Sequence, residues 1–373
     1  MTGPAIPAND FAAQWEEVRG DCLEAIDRVG RSGWLVLGEE VRGFERELAA
    51  WWGVEHVVGV ASGLDALEIG LRCLGIGPGD RVLTTPLTAF ATTLAILRIG
   101  AEPVWTDVDD SGGLDLAAAR AALEGDSSIR ALLPVHLYGH PLDLDALREL
   151  GEQTEVVVIE DCAQSAGAER GGQPTGTASP VAATSLYPTK NLGAYGDGGA
   201  LLTGDAEIAE RARTLRNYGE NGRFNHVEPG LNSRLDELHA AMLRSAMLPR
   251  LDRWLERRAA IASRYRAALD GSRMQPVQPT GGRSAHHLFP VVVDGDAADA
   301  RRHLSNAGIG VGRHYPVLCP DQPACDGVGT RLEDMHNARR IAELGISLPI
   351  HPQLGDADVE RVVEACVAWC DAA

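Results

Sequence analysis

The chain has 373 residues, of which 45% are hydrophobic and 23% are charged, and its formal net charge is -19, which is ordinary composition for a soluble globular chain long enough for two domains. The acidic balance and the lack of any basic run exclude a surface built to neutralise a nucleic-acid backbone. No apolar run is long enough to span a bilayer, and the first residues lack the charged and apolar segments of a secretory leader, so we expect a cytoplasmic protein.

From residue 56 to about residue 245, short β-branched runs alternate with helical patterns, which is typical of an α/β sheet with largely parallel strands. The predicted strands are "HVVGVAS", "RVLTTP", "EPVWTDV", "IRALLPVHLYG" and "EVVVIEDCAQS". The helices between them include "GLDALEIGLRCLGI", "FATTLAILRIG" and "LDLDALRELGEQ". "AATSLYPT" and "GGALLTG" follow as a predicted antiparallel pair.

The pattern changes after about residue 246. "LPRLDRWLERRAAIASRYRAAL" predicts a long arginine-rich helix that bridges two domains and turns its charges to solvent. "AHHLFPVVVDG", "DARRHLSNAGIGVGRHYP" and "DVERVVEACVAWC" predict a smaller α+β unit. We therefore expect a large α/β domain over residues 1–245, with an N-terminal helical segment, and a small α+β domain over residues 246–373.

The seven cysteines are dispersed and form no C-x-x-C pair. This pattern predicts reduced core thiols rather than a disulfide framework. Cys366 and Cys370 share a helix face at i, i+4, but zinc would need two further ligands and none is near in sequence, so no metal site is predicted.

Lys190, in "SLYPTKNLGAYGDGG", is the only lysine among 34 lysine and arginine residues. A bias toward arginine explains the missing lysines but not the one that remains, because arginine supplies positive charge and hydrogen bonds at least as well. Arginine does not supply an amine that loses its proton and attacks a carbonyl. Lys190 is therefore a candidate for Schiff-base chemistry, with a chance survivor on a solvated face as the alternative.

Polar residues follow three predicted strands, where α/β sheets bind ligands. Ser62 and Gly63 stand between a strand and a helix start, a place that suits a phosphate, although many such turns only reverse the chain. Asp161 ends an apolar strand with Gln164 three residues on; it is either an N-cap or a carboxylate held against a protonated pyridine nitrogen. Ser185 precedes Lys190 by five residues, so a phosphate anchor and a Schiff-base lysine share one turn.

These motifs occur together in an order that resembles one family. "ASGLDAL", "TAFATT", "LLPVHLYGHPLDLDAL", "VIEDCAQSAGA", "SLYPTKNLGAYGDGGAL", "RNYGENGRFNH", "GLNSRLDELHAAML" and "HYP" run from about residue 30 to about residue 350. They resemble the DegT/DnrJ/EryC1/StrS family of sugar aminotransferases, which depend on pyridoxal 5'-phosphate (PLP). The resemblance implies the fold-type I architecture, with a seven-stranded, mostly parallel sheet in the large PLP-binding domain and a smaller α+β C-terminal domain.

The resemblance also implies roles for individual residues. Lys190 matches the lysine that carries the cofactor, Asp161 the partner of the pyridine nitrogen, and Gln164 the residue near the ring hydroxyl. The phosphate contacts fall on Ser62, Gly63, Leu64 and Ser185, and Phe90 matches an aromatic ring that stacks on the cofactor. Asn232 matches an asparagine that reaches the phosphate of the neighbouring subunit, which implies a homodimer with shared active sites. Leu64 stands where the family often has threonine, so that contact has to come from the backbone.

The implied reaction transfers an amino group from L-glutamate to a nucleotide-linked keto-6-deoxy sugar, with dTDP as the expected nucleotide and C3 or C4 as the position. A free keto cyclitol as substrate and a non-catalytic PLP-binding regulatory protein remain as alternatives. Dehydratases of the family carry histidine at the lysine position, so Lys190 disfavours a dehydratase. A desulfurase or lyase would need a reactive cysteine near the substrate, and no cysteine of this sequence has such a context.

Candidate substrate contacts are polar and aromatic residues near these motifs. The set is Tyr187, Tyr195, His226, Arg234, Arg313, His314 and Tyr315. The arginine and histidine side chains suit a diphosphate, and for each of them a solvated surface group is the alternative.

Overall fold

The computed structural model describes residues 5–372. Its helices are α1 Phe11–Ser32, α2 Glu39–Trp52, α3 Gly63–Cys73, α4 Phe90–Arg98, α5 Leu116–Gly125, α6 Leu144–Thr154, α7 Ala206–Arg216, α8 Glu237–Met242, α9 Leu251–Leu269, α10 Ala297–Asn306, α11 His336–Leu344 and α12 Asp356–Asp371. Its strands are β1 His56–Val60, β2 Arg81–Thr84, β3 Glu102–Trp105, β4 Ile129–Leu133, β5 Val157–Asp161, β6 Glu169–Arg170, β7 Gln173–Pro174, β8 Val181–Ser185, β9 Gly199–Thr203, β10 Met274–Pro276, β11 Phe289–Val293, β12 Thr330–Arg331 and β13 Gly345–Leu348.

A large sheet in the order β1-β9-β8-β5-β4-β2-β3-β12 organises the protein. The neighbours from β8 to β12 pair in parallel, whereas β9 runs antiparallel to both β8 and β1. The predicted α/β class and the predicted antiparallel pair are confirmed. The eighth strand, β12, has two residues, too few to carry a hydrophobic pattern that sequence analysis could detect.

The large sheet is covered on both faces because successive residues of a strand point to opposite sides. Ala183 of β8 and Leu201 of β9 join a core that includes α3, α4 and α7. Their neighbours Ala182 and Leu202 join a second core, which includes α1, α2 and α8. This sandwich turns the carboxyl ends of the parallel strands toward one edge, where ligands bind in open α/β sheets.

A smaller antiparallel sheet, in the order β10-β11-β13, packs with α9, α10 and α12 around a core of its own. Helix α9 bridges the two units, since Leu251 packs in the large unit and Tyr265 in the small one. The predicted solvated face of this helix is wrong at Arg258, which is 3% exposed. Arg258 is buried because its Nη1 donates to the carbonyl oxygens of His286, His287 and Ile350 where the units meet.

The chain crosses between the two cores more often than one boundary near residue 246 implies. Residues Leu318 to Ala342, which include β12 and most of α11, contribute to the large core. Ile6, near the start of the chain, packs in the small core and its backbone bonds to Gly308 and Gly310. Residues 1–4 and 373 of the expected domains lie outside the described residues.

Within residues 5–372, every helix is too short or too polar to span a bilayer. All seven cysteines are free, and five of them are buried.

Candidate active site

A cavity of about 570 Å³ lies at the carboxyl ends of the parallel strands, between the large and small units. The large unit contributes the ends of β5 and β8 and the starts of α3 and α4. The small unit contributes the loop before β11, the loop after α10, and the end of β13 with the loop that follows it. Asn9 of the N-terminal segment closes part of the rim. The cavity therefore stands where sequence analysis expects ligand chemistry.

Lys190 lines this cavity from the loop between β8 and β9. Its backbone N–H donates to the carbonyl oxygen of Tyr187 at 2.8 Å, which holds the loop in a turn. Burial lowers the pKa of the Lys190 amine to about 8, against the opposite effect of the nearby Asp161 carboxylate. A fraction of this amine is thus uncharged near neutral pH, which is what a nucleophile and proton carrier requires.

Asp161, the last residue of β5, lies deep in the cavity and is 4% exposed. Its Oδ2 accepts a hydrogen bond from the Thr92 hydroxyl at 2.8 Å, and its Oδ1 accepts one from the Ala163 N–H at 3.0 Å. Burial nevertheless raises the pKa of this carboxyl. A carboxylate in such a place is suited to a cationic partner, which would offset the cost of desolvation.

The neighbouring Glu160 holds the end of β5 in place. This fully buried carboxylate accepts hydrogen bonds from His136 Nε2 at 2.9 Å, from the Gly176 and Ala178 N–H groups at 2.9 Å each, and from the Ser179 hydroxyl at 2.8 Å. Because side chains alternate along a strand, the anchored Glu160 fixes the opposite direction of Asp161. Sequence analysis missed this support, although the paired acids in "VIEDC" are its signal.

Gln164 connects the large unit to the small one. Its Oε1 accepts from the Tyr138 N–H at 2.7 Å, and its Nε2 donates to the Tyr315 hydroxyl at 3.0 Å. The Tyr138 hydroxyl in turn donates to the His314 carbonyl at 2.7 Å. Burial and the Asp161 charge raise the pKa of Tyr315 to about 12, so this phenol remains protonated near neutral pH. The predicted Gln164, His314 and Tyr315 thus meet in one wall of the cavity.

The start of α3 and Ser185 form a polar corner of the cavity. The Ser62 hydroxyl accepts from the Asp65 N–H at 3.1 Å and caps the helix. A Cβ at Gly63 would lie 2.8 Å from Ser185 Cβ, so glycine is required for β8 to approach this closely. Leu64 also lines the cavity. The free N–H groups of the helix start and the Ser185 hydroxyl together suit a phosphate.

Thr92 and His287 are among the cavity residues that sequence analysis did not predict. Thr92, in the first turn of α4, donates to Asp161. His287, which is 7% exposed, lines the small-unit side of the cavity. Burial, reinforced by the Lys190 charge, holds the pKa of His287 well below its usual range. Burial and Lys190 likewise lower the pKa of His314, whose Nδ1 lies 2.9 Å from Ser347 Oγ.

Several predicted site residues do not line the cavity of their own chain. Phe90 begins α4 and packs, partly buried, against the large core, while its neighbours Ala89 and Ala91 face the cavity. Tyr195 does not line the cavity of its own chain; its ring packs edge-on against Trp15 of α1, at 5.4 Å between centroids. Tyr187, by contrast, lines the cavity and is half exposed.

The remaining predicted residues lie outside the cavity of this chain. His226 is exposed and its Nδ1 lies 3.0 Å from the Tyr218 carbonyl. Arg234 donates to Asn217 Oδ1 at 2.9 Å and covers the Tyr218 ring, and Arg313 donates to the Ala342 carbonyl at 3.0 Å. Asn232 is exposed and pairs with the backbone of Asn217. Sequence order brings these residues near the motifs, but their local hydrogen bonds hold them away from Lys190.

Comparison with known proteins places this geometry among aminotransferases. The sequence profile of the DegT/DnrJ/EryC1/StrS aminotransferase family matches residues 16–367. The chain is 44% identical over 371 residues to dTDP-3-amino-3,4,6-trideoxy-alpha-D-glucose transaminase of Streptomyces venezuelae, which covers 99% of this chain and 97% of that one. It is 41% identical to the erythromycin biosynthesis sensory transduction protein EryC1 of Saccharopolyspora erythraea, with 96% and 98% of the two chains covered.

Solved structures of aminotransferases have the same fold as this chain. Streptomyces venezuelae DesV, determined in complex with a ketimine intermediate, superposes with a TM-score of 0.95 at 43% identity and covers 99% of each chain. The Spr1654 protein of Streptococcus pneumoniae in its PLP form has a TM-score of 0.87 at 26% identity, with 100% and 99% of the chains covered.

Proposed function

The chain belongs to the DegT/DnrJ/EryC1/StrS aminotransferase family, and from that premise we propose that it transfers an amino group from L-glutamate to a nucleotide-linked keto sugar. The observation that carries this proposal is the meeting of Lys190, Asp161, Ser185 and the start of α3 in one cavity. The expected sugar is a dTDP-linked keto-6-deoxyhexose on a route to deoxyaminosugars of antibiotics.

The residues of the cavity fit PLP, the cofactor of this enzyme class. The start of α3 and Ser185 would hold the phosphate, Asp161 would accept the protonated ring nitrogen, and Lys190 would bind the aldehyde. The raised pKa of Asp161 supports this fit, because a buried carboxylate without a full charge partner is suited to a pyridinium. When bound, the cofactor supplies an electron sink for the carbon that loses its proton.

The protein contributes proton transfer and orientation. Lys190 Nζ, with a pKa of about 8, accepts and returns the proton as general base and acid. Gln164 and Tyr315, which are hydrogen-bonded to each other, would orient groups bound at their wall of the cavity. The small-unit residues His287 and His314 offer imidazole groups to the substrate side.

The size of the cavity supports a substrate larger than an amino acid. The volume of about 570 Å³ lies in the range of sites for drug-sized ligands. The Streptomyces venezuelae relative acts on a dTDP-linked sugar, as its name states.

We infer a homodimer in which each subunit completes the site of the other. Asn232 and Arg234 lie outside their own cavity on a loop that also exposes Tyr218 and Phe224, the latter 78% exposed. Trp34, Leu35 and Val36 form a second exposed apolar stretch, joined to the same region by the bridge between Val36 and Asp236. Exposed apolar surface of this kind commonly marks a protein interface, and we expect Asn232 to reach the partner's phosphate corner from it.

One observation favours the non-catalytic alternative: a relative is named as a sensory transduction protein. The intact set of Lys190, Asp161 and Gln164 favours catalysis, because binding the cofactor alone does not require an amine of lowered pKa.

The test is a substrate panel. Nucleotide-linked keto sugars with the ketone at C3 or C4, the corresponding free sugars and keto cyclitols are supplied with glutamate, and release of 2-oxoglutarate is followed. We expect amination of the dTDP-linked sugar and at least about tenfold lower kcat/KM for the free sugar, because binding energy from the nucleotide orients the reacting carbon. Preference for a free cyclitol would refute the nucleotide-sugar substrate, and absence of turnover with any amino acceptor would support the regulatory alternative.

A further inference from the structure

The imidazole ring of His314 is bonded to β13 on the small-unit side of the large cavity. Its Nδ1 lies 2.9 Å from Ser347 Oγ, and both residues line the cavity. The backbones of Gly312 and Ser347 also pair, since the Gly312 N–H donates to the Ser347 carbonyl at 3.0 Å and the Ser347 N–H donates to the Gly312 carbonyl at 2.9 Å. The loop that carries His314 is therefore attached to β13 by both backbone and side-chain bonds.

Gly312 provides the space that the ring occupies. A Cβ at this position would lie 2.5 Å from His314 Cε1 and 3.2 Å from its Nδ1. Any other residue would therefore displace the ring and weaken its bond to Ser347. The ring also packs edge-on against the Tyr315 ring, at 5.5 Å between centroids. Gly312, Ser347 and Tyr315 together hold the imidazole in one orientation.

The bond to Ser347 determines which ring nitrogen of His314 carries the proton. Ser347 is 4% exposed, and among residues 5–372 His314 Nδ1 is the one hydrogen-bond partner of its hydroxyl group. The hydroxyl hydrogen has an acceptor there only when Nδ1 is unprotonated, and a neutral ring then carries its proton on Nε2. Burial, reinforced by the Lys190 charge, lowers the pKa of His314, which keeps the ring neutral at neutral pH.

The other ring nitrogen, Nε2, is open to the cavity. Within the described part of the chain it has no hydrogen-bond partner, and unlike the buried unpaired atoms it keeps accessible surface. The Lys190 charge acts on this ring, so the ring lies near the amine and near the carbon on which that amine would work. His287 also lines the cavity, but among the described residues its side chain makes no hydrogen bond that would fix its proton on one nitrogen.

We propose that Ser347 and Gly312 hold His314 as a neutral hydrogen-bond donor, whose Nε2–H binds the ketone oxygen of the acceptor sugar. The proposal rests on the proposed function. Negative charge develops on a ketone oxygen when nitrogen bonds to its carbon, and a fixed donor stabilises that charge more than it stabilises the ketone. The proton stays on Nε2, and Lys190 remains the group that moves protons. His314 is then a catalytic residue, and Ser347 and Gly312 are positioning residues.

The tautomer of His314 is measurable without turnover. In the full-length protein labelled with ¹⁵N-histidine, correlation of the ring nitrogens with the carbon-bound ring hydrogens distinguishes a protonated nitrogen from an unprotonated one. The signals of His314 are those that disappear in His314→Gln. We expect the proton on Nε2 in the wild type at neutral pH. Ser347→Ala and Gly312→Ala should each move a substantial part of it to Nδ1, whereas Ser347→Thr, which keeps the hydroxyl group, should retain the wild-type form.

Steady-state kinetics with the keto sugar as varied substrate measure the effect on the reaction. Ser347→Ala and Gly312→Ala should lower kcat about tenfold and change KM less than about twofold, because the lost interaction forms mainly in the transition state. His314→Leu should lower kcat about a hundredfold, as expected for the loss of one donor to a developing charge. Ser272→Ala is the matched control, since it makes the same exchange at a partly buried serine of the small unit outside the cavity, and it should change neither constant.

A wild-type proton on Nδ1, or a kcat of Ser347→Ala within about twofold of wild type, would overturn this proposal while the proposed function stands. A higher KM with unchanged kcat in Ser347→Ala would also overturn it, since His314 would then only bind substrate. Absence of wild-type turnover with every keto sugar would refute the proposed function and, with it, the role of the ketone oxygen. If Ser347→Ala does not fold, the wild-type tautomer, Gly312→Ala and Ser347→Thr still decide.

Discussion

At the position of Lys190, a positive charge alone is not sufficient for the proposed reaction, which also needs a group that can release a proton. Burial lowers the pKa of its amine to about 8, whereas a guanidinium stays protonated in any protein environment. Arginine could therefore replace the charge of Lys190, but not its ability to release a proton.

Lys190→Arg should fold but lose almost all turnover, because arginine keeps the positive charge and cannot act as a base. We expect less than about one hundredth of the wild-type rate, since a positioned general base contributes roughly two to four decades. Initial rates of 2-oxoglutarate release measure the loss, and circular dichroism checks the fold. The reverse exchange Arg302→Lys, at an exposed ion pair with Asp299, is the control; higher residual turnover in Lys190→Arg would mean that another group moves the proton.

Asp161→Asn should raise the thermal stability of the protein while it weakens cofactor binding and activity. Burial raises the folded-state pKa of Asp161 above that of an unfolded aspartate, so the folded chain keeps a proton that the unfolded chain has already released. Stability of the wild type then falls as pH rises through that range. Without cofactor at neutral pH, Asp161→Asn should melt about 2 °C or more above wild type, and this advantage should disappear as pH falls below the ordinary aspartate pKa.

The same variant should bind PLP less tightly and lose activity, because asparagine offers no charge to a pyridinium. Thermal melts from acidic to neutral pH and cofactor titration measure the two effects. Asp145→Asn, at an exposed aspartate of α6, should show neither. A melting temperature of Asp161→Asn below that of wild type at neutral pH would show that the carboxylate stabilises the protein by itself.

At the level of single residues, sequence analysis correctly predicted as cavity residues those side chains that a motif places at or just after the end of a strand. Asp161, Ser185 and Lys190 belong to this class, and they do line one cavity. Thr92 and His287 were missed because their position depends on packing between distant segments, which leaves no local pattern. Tyr195 remains a predicted substrate contact, although its ring packs against Trp15 of α1. The direction of a side chain in a loop follows no sequence period, so the sequence could not show this contact.

At the level of elements, the approach of β8 to the start of α3 determines the phosphate corner. Sequence analysis predicted both elements, with Ser62 and Gly63 in the turn that precedes α3. Their separation was not predictable, because it depends on Gly63 lying against Ser185 with no room for a side chain.

Gly63→Ala should therefore weaken cofactor binding while the fold remains. The added Cβ would lie 2.8 Å from Ser185 Cβ and 3.1 Å from its Cα, so helix and strand must separate by several tenths of an ångström. We expect an increase of about tenfold or more in the PLP dissociation constant, measured by absorbance titration. Gly30→Ala, in an open position on α1, should leave binding unchanged and stabilise the chain by about 0.5–1 kcal/mol. Equal cofactor affinity in Gly63→Ala and wild type would place the phosphate elsewhere.

At the level of the whole molecule, the proposed homodimer gives the exposed Asn232 its role. The sequence indicated the sheet, the two units and the helix between them, but not the repeated crossing of the chain. A two-residue strand such as β12 has no detectable pattern, and the return of α11 to the large core is determined only by tertiary packing.

A mixing experiment tests the shared site. Lys190→Ala and Asn232→Asp are each expected to be inactive, and after joint dissociation and reassembly the mixed dimers hold one site with both native residues. Random reassembly should restore about a quarter of wild-type activity, because half of the dimers are mixed and each has one intact site of two. Reassembly of each variant alone is the control. If dimers verified as mixed show no recovery, Asn232 does not act across the interface.

The repeated crossing of the chain between its two cores also limits how such enzymes can be recombined. A chimera joined to a relative at one point near residue 246 would import a foreign version of the stretch that contains β12 and α11. The buried side chains Met335, Ala338 and Ile341 of this stretch belong to the large core. The natural unit of exchange is instead the two separated parts of the small unit, from about residue 246 to residue 317 and from residue 343 onward, taken together from the same parent. Gene shuffling between relatives with different substrates should accordingly yield folded hybrids when the stretch from Leu318 to Ala342 stays with the large unit, and insoluble ones when it is separated from it.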